Sequence, residues 1–137
     1  MSNGRNVRIF HEYLRAIERN DADALRAAVT ADAWVWYNFK GGLDERERVV
    51  DIIPTIVGIR SQLKSLRYEF DLPQRDTEDG FVVQAKCHAT TLGGTSFVCP
   101  ACYVGTVDDQ GLITGYTEWI DPRPMEPVLA EMTARPF

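Results

Sequence analysis

The feature that most constrains the fold is a change of hydrophobic period near residue 66. Before it, apolar residues recur every three or four positions. After it they alternate over the runs 66–75, 81–92, 95–107 and 112–121. Turn chemistry separates these runs: Thr77-Glu78-Asp79-Gly80, Gly93-Gly94 and Asp108-Asp109-Gln110-Gly111. A period of two sends successive side chains to opposite faces, so the second half of the chain reads as strands joined in a meander. Pro73 and Pro100 place an interruption, an edge or a bulge in their strands.

The first half reads differently. Val7, Phe10, Leu14 and Ile17, widened by Ile9, Tyr13 and Ala16, predict an amphipathic helix over roughly 4–19. Asn20-Asp21 stops it, and Asp21 caps a short helix through Ala28. Residues 33–39, Ala-Trp-Val-Trp-Tyr-Asn-Phe, predict a strand that ends at Gly41-Gly42. Asp44-x-x-Glu47 has the form of a capping box, predicting a helix from about 45 to 63 that is kinked or restarted at Pro54. Helices gathered before an antiparallel sheet make an α+β class, and a strongly curved sheet with the helices on its concave side would leave a cone-shaped cavity. The chain is read as one domain, 1–137, whose residues 122–137 form a Pro-rich tail.

Composition narrows the partners. The 137 residues are 45% apolar and 26% charged with a net charge of −5, which suits a globular domain. No basic cluster invites nucleic acid or an anionic membrane. No apolar run is long enough to span a bilayer, and no secretory signal is evident, so a cytoplasmic location is expected. The three cysteines, Cys87, Cys99 and Cys102, are read as free thiols. Cys99-Pro-Ala-Cys102 falls on a strand, where positions three apart face opposite ways, which argues against a redox or metal motif. Two histidines without a partner cluster argue against a metal site, and no cofactor is expected.

Several segments together resemble one known superfamily. They are residues 12–16 (Glu-Tyr-Leu-Arg-Ala), 21–25 (Asp-Ala-Asp-Ala-Leu), 32–35 (Asp-Ala-Trp-Val) and above all 111–121 (Gly-Leu-Ile-Thr-Gly-Tyr-Thr-Glu-Trp-Ile-Asp). The chain resembles the nuclear transport factor 2-like superfamily in its SnoaL-like branch over about residues 7–122. That branch includes polyketide cyclases, ketosteroid isomerase, scytalone dehydratase and limonene epoxide hydrolase. The resemblance implies the cone fold, a pocket for a small apolar oxygenated molecule, and a homodimer. The dimer would form through the convex sheet face, where Trp34 and Trp119 are expected. It fixes the reaction weakly, since one fold serves many functions.

The family's residues transfer unevenly. At the positions of the epoxide hydrolases' Arg and first Asp stand Lys86 and His88. Glu118 replaces the second Asp, Trp36 replaces a Tyr, and Asn38 keeps the Asn. Tyr13 matches the hydroxyl donor that ketosteroid isomerases place on their first helix. The His–carboxylate solution of scytalone dehydratases is matched best by His88 and Glu118. Alternation puts Lys86 and His88 on one face of their strand, and Tyr116, Glu118 and Ile120 on one face of theirs. If both faces look inward, His88 is a general base or acid oriented by Glu118, with Tyr13 polarising a carbonyl.

The pocket is then expected to be lined by Phe10, Leu14, Trp36, Asn38, Ile53, Val57, Lys86, Cys99, Ala101, Tyr103, Tyr116 and Ile120. His11 reads as a surface residue. The expected reaction is a lyase, isomerase or cyclase step on a polyketide-like or terpenoid-like compound. An altered epoxide hydrolase and a non-catalytic binding or assembly module are the alternatives.

Overall fold

A computed structural model of the chain describes residues 4–133. In order, the elements are α1 (Arg5–Glu18), α2 (Ala22–Ala27), β1 (Val29–Tyr37), a 3-10 turn (Leu43–Glu45), β2 (Glu47–Arg48), α3 (Val49–Ser61), β3 (Leu63–Glu69), β4 (Gln74–Asp76), β5 (Gly80–Thr91), β6 (Ser96–Val107), β7 (Ile113–Ile120), a second 3-10 turn (Arg123–Met125) and α4 (Glu126–Thr133). Part of the Pro-rich tail is thus helical; Pro136 lies outside the described residues.

The seven strands form one open sheet in the order β2-β1-β7-β6-β5-β3, with β4 also pairing β5. The architecture is α+β, the cone fold read from the sequence. The sheet is mixed, however, because β1 runs parallel to β7. The parallel pair joins the helical half of the chain to the last strand of the meander.

Local chemistry explains the element ends. Asp21 Oδ1 accepts from the Ala24 N–H at 3.0 Å and caps α2. Asn20 adopts φ +57°, a left-handed position that closes α1 with the Asp21 N–H on the Ala16 carbonyl. The capping box at Asp44 is not realised. Glu47 and Arg48 instead pair with Val35 and Trp34 as strand β2, so α3 starts only at Val49 and runs unbroken through Pro54. The predicted strand 66–75 divides at Pro73 into β3 and β4. Pro100 causes no bulge. It lies opposite Lys86 in unbroken register with β5, and the next residue, Ala101, already pairs with Ile120, the last residue of β7. The ring sits where β7 has ended, and no ladder bond is lost to it.

The core is the concave face of the sheet filled by α1 and α3. Val7, Phe10 and Leu14 of α1 meet Ala33, Val35, Phe81, Val83, Ala85 and Ile113. Phe10 stacks on Phe81 with ring centroids 4.5 Å apart. On the other face, Gly115 leaves room for the Trp34 ring, which a Cβ would overlap.

Candidate functional site

The core does not fill the cone. A cavity of about 640 Å³ remains between the sheet and α3. Its sheet wall carries Tyr68 of β3, Cys87 of β5, Phe97, Cys99, Ala101 and Tyr103 of β6, Tyr116, Glu118 and Ile120 of β7, and Tyr37 of β1. Ile17 of α1 and Ile52, Thr55, Ile56 and Ile59 of α3 form the opposite wall. Phe39, Lys40, Glu47, Arg60, Leu63, Leu66, Pro122 and Met125 complete the lining. The size and the predominantly apolar lining suit one small organic molecule.

The residues named from the sequence divide between two faces. Cys99, Ala101, Tyr103, Tyr116, Glu118 and Ile120 stand on the cavity wall. Phe10, Leu14 and Ile53 are fully buried in the core beneath it, and Val57 packs against that core. None of these four is on the wall. Tyr13 is buried behind Tyr116, their hydroxyls 2.9 Å apart.

His88 and Lys86 are not in the cavity. Along β5 the residues turned inward are Phe81, Val83, Ala85, Cys87 and Ala89, and the even-numbered ones face out. His88 Nε2 lies 2.9 Å from Glu69 Oε1, and Lys86 Nζ lies 3.3 Å from Asp71 Oδ2. His88 borders a separate groove with Ser65, Arg67, Thr90 and Val98 on the outer face. The expected His88–Glu118 pair therefore does not form, because the polar parity of β5 is its solvent side. Trp36 also belongs to the outer face. It packs edge-on against Trp119 at 5.2 Å and donates through Nε1 to the Gly41 and Gly42 carbonyls.

Asn38 holds no ligand-facing position. Its Nδ2 donates to the Ile120 carbonyl at 2.9 Å, its Oδ1 accepts from the Ile120 N–H at 3.1 Å, and its own N–H donates to the Glu118 carbonyl. It extends the β1–β7 ladder by one residue and fixes the backbone from the Glu118 carbonyl to Ile120. His11 is half-buried rather than free on the surface: it stacks on Phe70 at 3.8 Å and meets Gln74 Oε1 at 3.2 Å. Burial lowers its pKa.

Glu118 stands out chemically. Its side chain has no ion pair and no hydrogen bond among the described residues. Protein surrounds it, yet it keeps accessible surface because the cavity opens in front of it. Loss of hydration pushes its pKa up to about 7. Every other titratable wall group with a resolved shift moves away from neutrality. Burial, reinforced by the Glu118 charge, raises the hydroxyls of Tyr37, Tyr103 and Tyr116 above the ordinary phenol range. The Cys87 thiol is pushed up to about 12, chiefly by burial. Near neutral pH the cavity therefore holds protonated phenols and thiols around one carboxyl group poised between its two states.

The wall residues missed in the sequence include Tyr37, Tyr68 and Cys87. Parity carried the signal for Cys87, which lies between Ala85 and Ala89 on the apolar face. For Tyr37 the signal was absent, since it depends on the parallel pairing of Tyr37 with Glu118.

Neither protein-family profiles nor curated protein sequences give a match to this chain. Solved structures do, at the level of fold. PrhC from Penicillium brasilianum superposes with a TM-score of 0.79 at 14% identity, covering 96% of this chain and 89% of that one. A protein assigned as a SnoaL-like polyketide cyclase from Shewanella putrefaciens gives 0.76 at 14% identity, covering 93% and 98%. An LEH-like epoxide hydrolase from M. tuberculosis gives 0.70 at 19% identity, covering 93% and 90%. The fold is that of the SnoaL-like and nuclear transport factor 2-like proteins.

Proposed function

We propose that the cavity is the active site of a cofactor-independent lyase, isomerase or cyclase in which Glu118 transfers a proton on a small, largely apolar, oxygenated molecule. The observation that carries this reading is the isolated Glu118 carboxyl group with a pKa near 7 on an apolar wall. A carboxyl group in that state serves as base and as acid at physiological pH. As a carboxylate it removes a proton from the carbon next to a carbonyl. As the acid it returns that proton to another atom, which isomerises the substrate or assists a leaving group. If the carbanion attacks an electrophilic carbon in the same molecule, a ring closes.

Two structures of the same fold are named for small-molecule chemistry, a polyketide cyclase and an epoxide hydrolase. The first class is the better match here. Hydrolytic epoxide opening needs a held water, and the Asn38 amide, at the position that holds it in the epoxide hydrolases this chain resembles, is bonded to Ile120 instead.

The test needs no knowledge of the natural substrate. The protein is incubated in deuterated buffer with a panel of cyclic enones and 1,3-diketones, and deuterium uptake at the α-carbon is followed by NMR. Protein-dependent uptake is expected to rise with pH through a midpoint near 7. Glu118→Gln is expected to lower it by about 10²-fold or more, in line with loss of a general base. Uptake that survives Glu118→Gln would sink the assignment.

A further inference from the structure

Glu118 does not stand alone in its row of the sheet. Its partner on β1 is Tyr37 and its partner on β6 is Tyr103. All three line the cavity. Neighbouring strands lie about 4.8 Å apart, so the three side chains rise side by side from one row. The other wall phenols are engaged: Tyr116 with the Tyr13 hydroxyl at 2.9 Å, and Tyr68 with the Cys87 thiol. The Tyr37 and Tyr103 hydroxyls have no protein partner among the described residues, and neither is sealed from the cavity. Burial keeps both protonated, so each has a proton to donate.

The charges on the cavity lining point the same way. Lys40 pairs with Glu47 at 3.9 Å, and Arg60 donates to the carbonyls of Glu18 and Leu63. Among the described residues no cation pairs with Glu118, so the site suits a neutral molecule whose negative charge appears only during reaction.

We propose that Tyr37 and Tyr103 together hold the substrate oxygen that becomes negative when Glu118 takes the proton. The substrates are then neutral carbonyl compounds that react through an enolate. This rests on the reading of Glu118 given above. In the step, the C–H bond next to the carbonyl breaks and its proton passes to the Glu118 carboxylate. The electron pair moves into the new C=C bond, and the carbonyl π electrons move to oxygen. The two phenol hydrogens donate to that oxygen, and each such bond strengthens as the charge grows.

The test uses 2-naphthol, a flat apolar ligand whose ionised oxygen resembles an enolate, with naphthalene as the control that lacks the oxygen. Binding is measured to Glu118→Gln, whose neutral side chain mimics the protonated acid left after proton transfer. Absorbance reports whether the bound naphthol is ionised. The expected result is that bound naphthol ionises at lower pH than free naphthol. Adding Tyr37→Phe or Tyr103→Phe should weaken naphtholate binding by about tenfold or more while leaving naphthalene binding intact. An unchanged ratio of naphthol to naphthalene affinity in both Phe variants would overturn the proposal, as would failure of Glu118→Gln to bind naphthol. The two readings fail separately. Exchange that is lost in Glu118→Gln, with indifferent Phe variants, defeats only the tyrosine pair. Exchange that survives Glu118→Gln, with responsive Phe variants, defeats only the base.

Discussion

A carboxylate leaves water at a cost, and among the described residues Glu118 has no ion pair or side-chain hydrogen bond to offset it. The sign of the consequence follows from the two pKa values. In the unfolded chain Glu118 ionises at the ordinary 4.5, and in the folded chain at about 7. Below pH 4.5 both states carry the proton and there is no penalty. Between 4.5 and 7 only the unfolded state releases it, so stability falls as pH rises through that window. Above 7 the full penalty applies, on the order of 3 kcal/mol before solvent reaching the cavity reduces it. Glu118→Gln is therefore expected to be more stable than the wild type at pH 8 and equal to it near pH 4. Urea unfolding at the two pH values measures this, and a stability gap independent of pH would contradict it. At this scale the sequence was legible in part. The inward parity of 116, 118 and 120 follows from alternation alone. His88 was misplaced because a positional match to the family's catalytic strand outweighed a plainer signal: Phe81, Val83, Ala85 and Ala89 are the apolar parity of β5, and His88 lies on the other.

At the level of elements, the ends of the helices show where local pattern yields to tertiary pairing. Gly4 offers α1 no side-chain cap. The cap comes from a distant residue: Asp76 of β4 accepts from the Val7 N–H at 2.8 Å and the Asn6 N–H at 3.2 Å. No sequence window spans those seventy residues, so this cap was unreadable. The opposite happened at Asp44, where a well-formed capping signal caps nothing because the β2 pairing delays α3 to Val49. Asp76→Ala is therefore expected to destabilise the protein by about 1–2 kcal/mol, and Asp44→Ala by less than about 0.5 kcal/mol. Thermal or urea unfolding of both variants checks the ranking. Equal losses would mean that Asp76 does not cap α1.

On the scale of the whole molecule, the sheet separates two surfaces of different chemistry. The concave face holds the core and the cavity. The outer face carries the Lys86–Asp71 ion pair and the His88–Glu69 contact beside apolar residues, with Trp119, Val98 and Val104 exposed by 47%, 47% and 42%. The α+β class and the meander were legible because each strand keeps its period between clear turns. The parallel β1–β7 contact was not, because it joins segments eighty residues apart. That contact sets Tyr37 beside Glu118 and so completes the site. The account depends most on the state of the Glu118 carboxyl group. Its direct test is a pH titration of the protein with ¹³C-labelled glutamate, assigning the Glu118 carboxyl signal by its loss in Glu118→Gln. A midpoint near 7 is predicted. A midpoint near 4.5, that of a glutamate in water, would contradict the account and leave the cavity without a neutral-pH acid or base.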